Sequence, residues 1–289
     1  MRVPLAVRLL PGVAERVWFT PPRPSAGPLR KDEQRLEGVE PITVAVEGRP
    51  RPGFSVGEGP LVILAHGWGG RAAQMIELAE AAASSGFRAI AIDSPGHGTD
   101  EQPTSDGFQM AAGLGVVKAR FGRPAAVVAH SIGAMATVLA FSERPPVAAV
   151  FLAPVLDLRD PLGIFSDRAR LAPWTARSLR RRVQRFTGEL WPAVTAGADA
   201  DLPGTELLLV HDPVDPDATF STSKALAHSR PKTRLVEAPG LGHNRLLRDR
   251  YVVEEVKHFL TQATRTRPTG NVDDHAHFSA ADSEPAHPH

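Results

Sequence analysis

Six short, mostly apolar runs punctuate the middle of this chain: Leu61–Ala65, Ala89–Ile92, Ala125–Ala129, Val147–Ala153, Leu207–Val210 and Arg234–Glu237. Most are unbroken rather than alternating in and out, as expected of strands buried on both faces of a parallel sheet. The segments between them carry helical periodicity. The clearest lies near the end, where Val252, Val253, Val256, Phe259 and Leu260 share one face. This alternation predicts an α/β fold, a mainly parallel central sheet flanked by helices. Thr43–Glu47 reads as an earlier, antiparallel edge strand.

One interval breaks the rhythm. Between Pro154 and Pro203 helix patterns continue without a good strand, and Phe165, Trp174, Phe186 and Trp191 are spread through it. It reads as a helical insertion covering something (residues 154–203). Its aromatics fit either an apolar acyl or alcohol pocket or an anchor for the insertion. Arg177 to Arg185 packs five arginines into nine residues, the pattern of a solvated helix face or of a patch for an anionic substrate or lipid surface.

The ends differ from the middle. In Met1–Thr20, Arg2, Arg8, Glu15 and Arg16 interrupt the apolar residues, so there is no secretory signal core. An amphipathic helix packed on the domain is expected there. Pro21, Pro22, Pro24 and Pro28 make Thr20–Arg30 a linker or extended cover strand. Residues 1–41 form an N-terminal extension and 42–262 the main domain. The tail, 263–289, is acidic: from Pro268 onward it has Asp273, Asp274, Asp282 and Glu284, four histidines and no Lys or Arg. Such a segment buries too little apolar surface to offset its ordering entropy, so disorder is expected.

Composition narrows the function. With 33 Lys+Arg against 32 Asp+Glu, the net charge of +1 gives no electrostatic case for a nucleic-acid partner. Zero cysteines exclude disulfides, thiolate metal sites and a cysteine nucleophile. No stretch approaches the roughly 18 apolar residues of a membrane span. A cytoplasmic location is expected; the oligomeric state is not legible.

The chemistry concentrates where runs end. Ala129-His130-Ser131-Ile132-Gly133 follows one run and opens a helix, so Ser131 stands on a sharp strand-to-helix turn between small residues, with its hydroxyl projecting above the sheet. A second run leads into His66-Gly67-Trp68-Gly69-Gly70, a glycine-rich turn able to aim a backbone N–H at a developing negative charge. Asp93-Ser94-Pro95-Gly96-His97-Gly98 is a third such turn, in which Asp93 and His97 are expected to order the loop. Val210-His211-Asp212-Pro213-Val214-Asp215 and Leu241-Gly242-His243-Asn244 follow later runs. A serine needs a base within hydrogen-bond reach, histidine has a suitable pKa, and a buried carboxylate fixes the imidazole's tautomer.

In this order, Ser131 then Asp215 then His243, the sequence resembles the α/β-hydrolase superfamily over roughly Ile42 to Leu260. The resemblance implies Ser131 as nucleophile, Asp215 as acid and His243 as base. The oxyanion hole would come from the N–H groups of Trp68 and Ile132, and the helical insertion would act as a lid. No cofactor or metal is implied, and the partner would be a small-molecule acyl substrate. Two positions depart from the family pattern. Ala129 replaces the first glycine of the elbow, and Asp212 replaces the glycine that commonly follows the acid-loop histidine. Asp212 therefore competes for the acid role, with Asp157 a distant third. The expected function is hydrolysis of a carboxylic ester or related acyl compound through an acyl-enzyme. An acyltransferase, perhydrolase or C–C hydrolase on the same fold, or a non-catalytic binding protein, are the alternatives.

Overall fold

In the computed structural model, which describes residues 10–200 and 202–265, the apolar runs become the centre of one eight-stranded sheet. Its strands are β1 (Glu40–Val46), β2 (Arg49–Val56), β3 (Leu61–Ala65), β4 (Arg88–Ile92), β5 (Ala126–His130), β6 (Ala148–Leu152), β7 (Glu206–His211) and β8 (Thr233–Glu237). They lie in the order β1-β2-β4-β3-β5-β6-β7-β8. From β4 to β8 every pairing is parallel, and every residue of β3, β5 and β6 is buried. Side chains still alternate between the two faces. Val62 and Leu64 join one apolar cluster with α3 (Ile76–Ala83) and α11 (Arg250–Arg265). Ile63 and Ala65 join the opposite cluster with α4 (Gly107–Phe121) and α5 (Ile132–Phe141).

The expected edge strand is present as β1, but its partner β2 is not legible in the sequence. The segment Arg-Pro-Arg-Pro looks hostile to a strand. Glu47 and Gly48, both at positive φ, make the two-residue hairpin turn that pairs Val46 with Arg49. Pro52 turns its carbonyl to the N–H of Asp93, just past the end of β4, so its ring nitrogen faces the same way. Pro50 shares that parity. Neither proline removes a ladder bond to β1.

The N-terminal expectation needs correction too. Thr20–Ser25 has no regular structure, but a helix, α2 (Ala26–Arg35), begins within the stretch read as linker or cover strand. Pro28 falls in the first turn, where a missing N–H costs nothing, and buried Asp32 is ion-paired with Arg71. The preceding helix, α1 (Pro11–Trp18), packs on the insertion rather than on the sheet. Between β6 and β7 lie α6 (Arg159–Arg168), α7 (Pro173–Thr187) and the short α8 (Trp191–Val194), without a strand among the described residues. Of the tail read as 263–289, residues 263–265 are not disordered but close α11, and the rest, from residue 266 on, lies outside the described residues.

Strand order decides where a ligand can sit. After β3 the chain goes to one side, β4, and then returns to the other, β5. Crevices open at such a reversal, beyond the carboxyl ends of the strands. Register brings those ends level: Ala65 lies beside Ala129, His130 beside Leu152, and Leu152 beside Val210.

Candidate active site

Ser131 sits between β5 and α5 with φ 55° and ψ −126°. A non-glycine residue held there costs about 1–3 kcal/mol, and surrounding bonds must enforce it. They do: its N–H donates to Leu152 O at 3.0 Å, and its carbonyl accepts from Val155 N–H at 3.0 Å and from Ala134 N–H. The residue two places on has to be glycine, because a Cβ at Gly133 would lie 2.7 Å from Ala65 O and 2.8 Å from His66 O. Two places before, the departure from glycine is harmless, since the Ala129 methyl is absorbed into the core.

The glycine-rich turn after β3 touches this elbow directly. A Cβ on Gly67 would lie 2.8 Å from both Ser131 Cβ and His130 Nδ1, so only glycine allows the approach. Gly70 N–H closes the turn on Gly67 O at 3.0 Å. His66 braces it from below: Nδ1–H donates to Gly67 O at 2.8 Å and Nε2 accepts from Ser94 N–H at 2.9 Å. Burial, with the neighbouring His97, lowers the His66 pKa to about 3, so the ring is neutral. His97 meets the Trp68 ring edge-on at 5.1 Å and donates from Nδ1 to Pro95 O. Asp93 accepts from Ala72 N–H at 2.7 Å and fills the space a Cβ on Gly98 would need. Asp93 and His97 thus order the loop behind the turn. Trp68 and Ile132 both line the space above Ser131, and Ile132 opens α5, where a first-turn N–H has no intrahelical carbonyl.

His243 lies on α10 (Gly242–Arg245), and its Nδ1–H donates to Asp215 Oδ2 at 2.8 Å. The Asp215 side chain is fully buried, and Oδ1 accepts from the N–H groups of Asp217 and Ala218 at 2.7 and 3.2 Å. Burial pushes this carboxyl up, but the adjacent His211 and the hydrogen bond from His243 outweigh it and hold it well below the usual carboxylate range. His211 approaches the same oxygen, with Nε2 3.5 Å from Asp215 Oδ2 and Nδ1 2.7 Å from Ser223 Oγ on α9 (Phe220–Ser229). The competing acids are employed elsewhere. Asp212 accepts from Val214 N–H at 3.0 Å and Gly242 N–H at 2.5 Å, tying the histidine loop to the acid loop. Asp157 binds the Arg159 guanidinium.

Sequence reading passed over His130, although it stands inside the elbow. Its Nε2–H donates to the carbonyl of His243 at 2.9 Å, and the two rings lie 4.7 Å apart. Burial, then the adjacent His243, brings its pKa down to about 3 and keeps it a neutral donor. It also gave the N-terminal helix and the proline-rich stretch no place in the site. A cavity of about 890 Å³ opens above Ser131 and His243, walled by Val155, Leu158, Phe165, Val183 and Phe186, and also by Trp18, Phe19 and Pro22. Trp18 packs edge-on against Phe165 at 5.6 Å, and Phe19 meets Phe186 at a tilt, with ring centres 4.9 Å apart. Phe165 and Phe186 therefore both line the cavity and anchor the insertion, while Trp174 faces outward. Asp215, Asp217 and His243 cluster closely enough for a cation. Their donors are already engaged, Asp215 by His243 and Asp217 by Arg168.

An elbow serine, a glycine turn against it and an acid-bound histidine, each at the end of a different parallel strand, define an α/β-hydrolase type of centre. A sequence profile of the alpha/beta hydrolase family matches residues 62–255, and the chain belongs to that family. It is 27% identical over 273 residues to an uncharacterized protein of Mycobacterium tuberculosis, covering 87% of this chain and 91% of that one. Among solved structures it resembles a putative lipase of Acinetobacter baumannii (TM-score 0.65, 15% identity, 83% of this chain and 97% of that one). It also resembles an esterase of Pyrococcus furiosus (TM-score 0.60, 18% identity, 86% and 97%).

Proposed function

We propose that the protein is a serine hydrolase that cleaves carboxylic esters, or closely related acyl compounds, of small molecules. The observation that carries this reading is the strained Ser131 opening on the same cavity as His243, whose Nδ1 is already held by buried Asp215. With Nδ1 engaged, the remaining nitrogen of His243 is the proton acceptor. Ser131 Oγ attacks the acyl carbon as His243 takes its proton. The N–H groups of Trp68 and Ile132 hold the tetrahedral oxyanion. His243 then returns the proton to the leaving alkoxide, and water resolves the acyl-enzyme by the same steps. Asp215 remains ionised throughout and stabilises the imidazolium. The mainly apolar cavity walls favour a hydrocarbon acyl or alcohol group over a charged one. Esterase and lipase names among the structural neighbours agree with this reading.

The test is a fluorophosphonate probe together with p-nitrophenyl esters of increasing chain length. Wild type is expected to be labelled and to turn over the esters. Ser131→Ala is expected to lose both while melting at a similar temperature. Full turnover by Ser131→Ala refutes the assignment.

A further inference from the structure

The outward face of α7 does nothing for the packing of the protein. Thr175, Leu179, Val183 and Thr187, four residues apart, form the buried side of the helix. Opposite them, Trp174, Arg177, Arg181 and Arg185 fall within an arc of about 80° at the α-helical period. Arg180 and Arg182 flank this stripe, all five arginines are exposed, and α7 contains no Asp or Glu. Among the described residues only Arg182 of the five is ion-paired, to Glu15 of α1 at 2.6 Å. Arg177 with Arg181, and Arg181 with Arg185, are like charges one turn apart, an arrangement that weakens a helix. The stripe therefore persists against the interest of the fold. Large apolar side chains are exposed on the same helix face and just past its end: Trp174 (48%) within the stripe and, in the turn that follows, Leu190 (49%).

We propose that α7 is a docking face for an anionic lipid surface. Guanidinium groups match phosphodiester headgroups, and tryptophan favours the boundary between headgroup and hydrocarbon. The exposed apolar side chains select a lipid surface over a soluble polyanion, which satisfies arginines but offers no apolar phase to Trp174 and Leu190. Since the whole chain carries only +1, attraction must come from this local stripe. No helix among the described residues is long and apolar enough to cross a membrane, so the contact is peripheral. Docking does not depend on the proposed reaction, and it can be measured with that reaction removed.

The experiment sediments full-length Ser131→Ala protein with phosphatidylcholine vesicles, with and without phosphatidylglycerol. Binding is expected only with the anionic lipid, weakening as salt rises. Replacing Arg177, Arg181 and Arg185 together by Gln should lower partitioning about 100-fold, at roughly fivefold per arginine. Trp174→Ala should lower it further without changing the salt dependence. In the Ser131 background the triple Gln variant should keep wild-type turnover of a soluble short-chain ester, which shows that the fold is intact. Equal binding to neutral vesicles, no binding, or binding indifferent to the triple substitution overturns the proposal. So does capture by a DNA duplex or an acidic peptide without vesicle binding.

Discussion

Replacing Gly133 by Ala tests the geometry on which the proposed centre rests. The new methyl would stand 2.7 Å from Ala65 O and 2.8 Å from His66 O, where ordinary contact begins at 3.4 Å. Both obstacles are backbone atoms of a buried strand end, so no flexible side chain can swing away. Relief requires α5 and β3 to separate by about 0.7 Å in a close-packed core. Overpacking of this kind costs about 1–3 kcal/mol, offset in part by up to about 1 kcal/mol from better helix propensity. A melting temperature lower by several degrees is expected, at about 2–4 °C per kcal/mol. Activity should suffer more than stability. The two carbonyls lead straight into Gly67 and Trp68, so the shift moves the proposed oxyanion donor, whose loss costs about 10²–10³ in kcat. Gly163→Ala is the control: it lies within α6 with nothing within 4 Å of its would-be Cβ, and it should gain up to about 1 kcal/mol with unchanged turnover. Differential scanning fluorimetry and p-nitrophenyl butyrate kinetics read both effects. A Gly133→Ala protein that melts and turns over like wild type would falsify the close approach.

Further outcomes follow from the same contacts. Asp215→Asn should lower kcat about 10⁴-fold by spoiling the His243 tautomer, whereas Asp212→Asn should mainly cost stability; the reverse ranking refutes the acid assignment. Three buried histidines, His66 and His130 at about 3 and His97 at about 4, stay neutral when folded. The unfolded chain binds their protons below about 6.5, so stability falls as pH drops through that value, by up to about 1.4 kcal/mol per pH unit for each. Asp93, raised to about 6 by burial, takes up its proton in the folded state first and works the other way between about 6 and 3.8. The histidines outnumber it, and a urea midpoint no lower at pH 5 than at pH 7.5 contradicts this balance. Trp18→Ala should raise KM for long-chain esters severalfold and leave the acetate unchanged; equal effects on both remove the N-terminal wall from substrate binding.

The central strands were legible because burial on both faces demands unbroken apolar residues, and Leu61–Ala65 admits no other reading once Ala89–Ile92 and Ala125–Ala129 repeat it. The proposed Ser131, Asp215 and His243 drew notice by standing just beyond such runs, where parallel register brings strand ends together. What escaped depends on partners distant in sequence. β2 was hidden because Pro50 and Pro52 are tolerable only given where β4 stops. The proposed choice of Asp215 over Asp212 rests on which carboxylate meets His243 and which meets Gly242 N–H, and no local pattern carries that. His130 was in plain view, yet its bond to the His243 carbonyl spans residues far apart in the chain.

Trp18 and Phe19 lie outside the span that matches the family profile, yet they complete the chamber above Ser131. Two kindred chains could then agree at every residue from 62 to 255 and still accept different molecules. Under the proposed function, selectivity is free to diverge at the amino terminus while the chemistry beneath it stays constant.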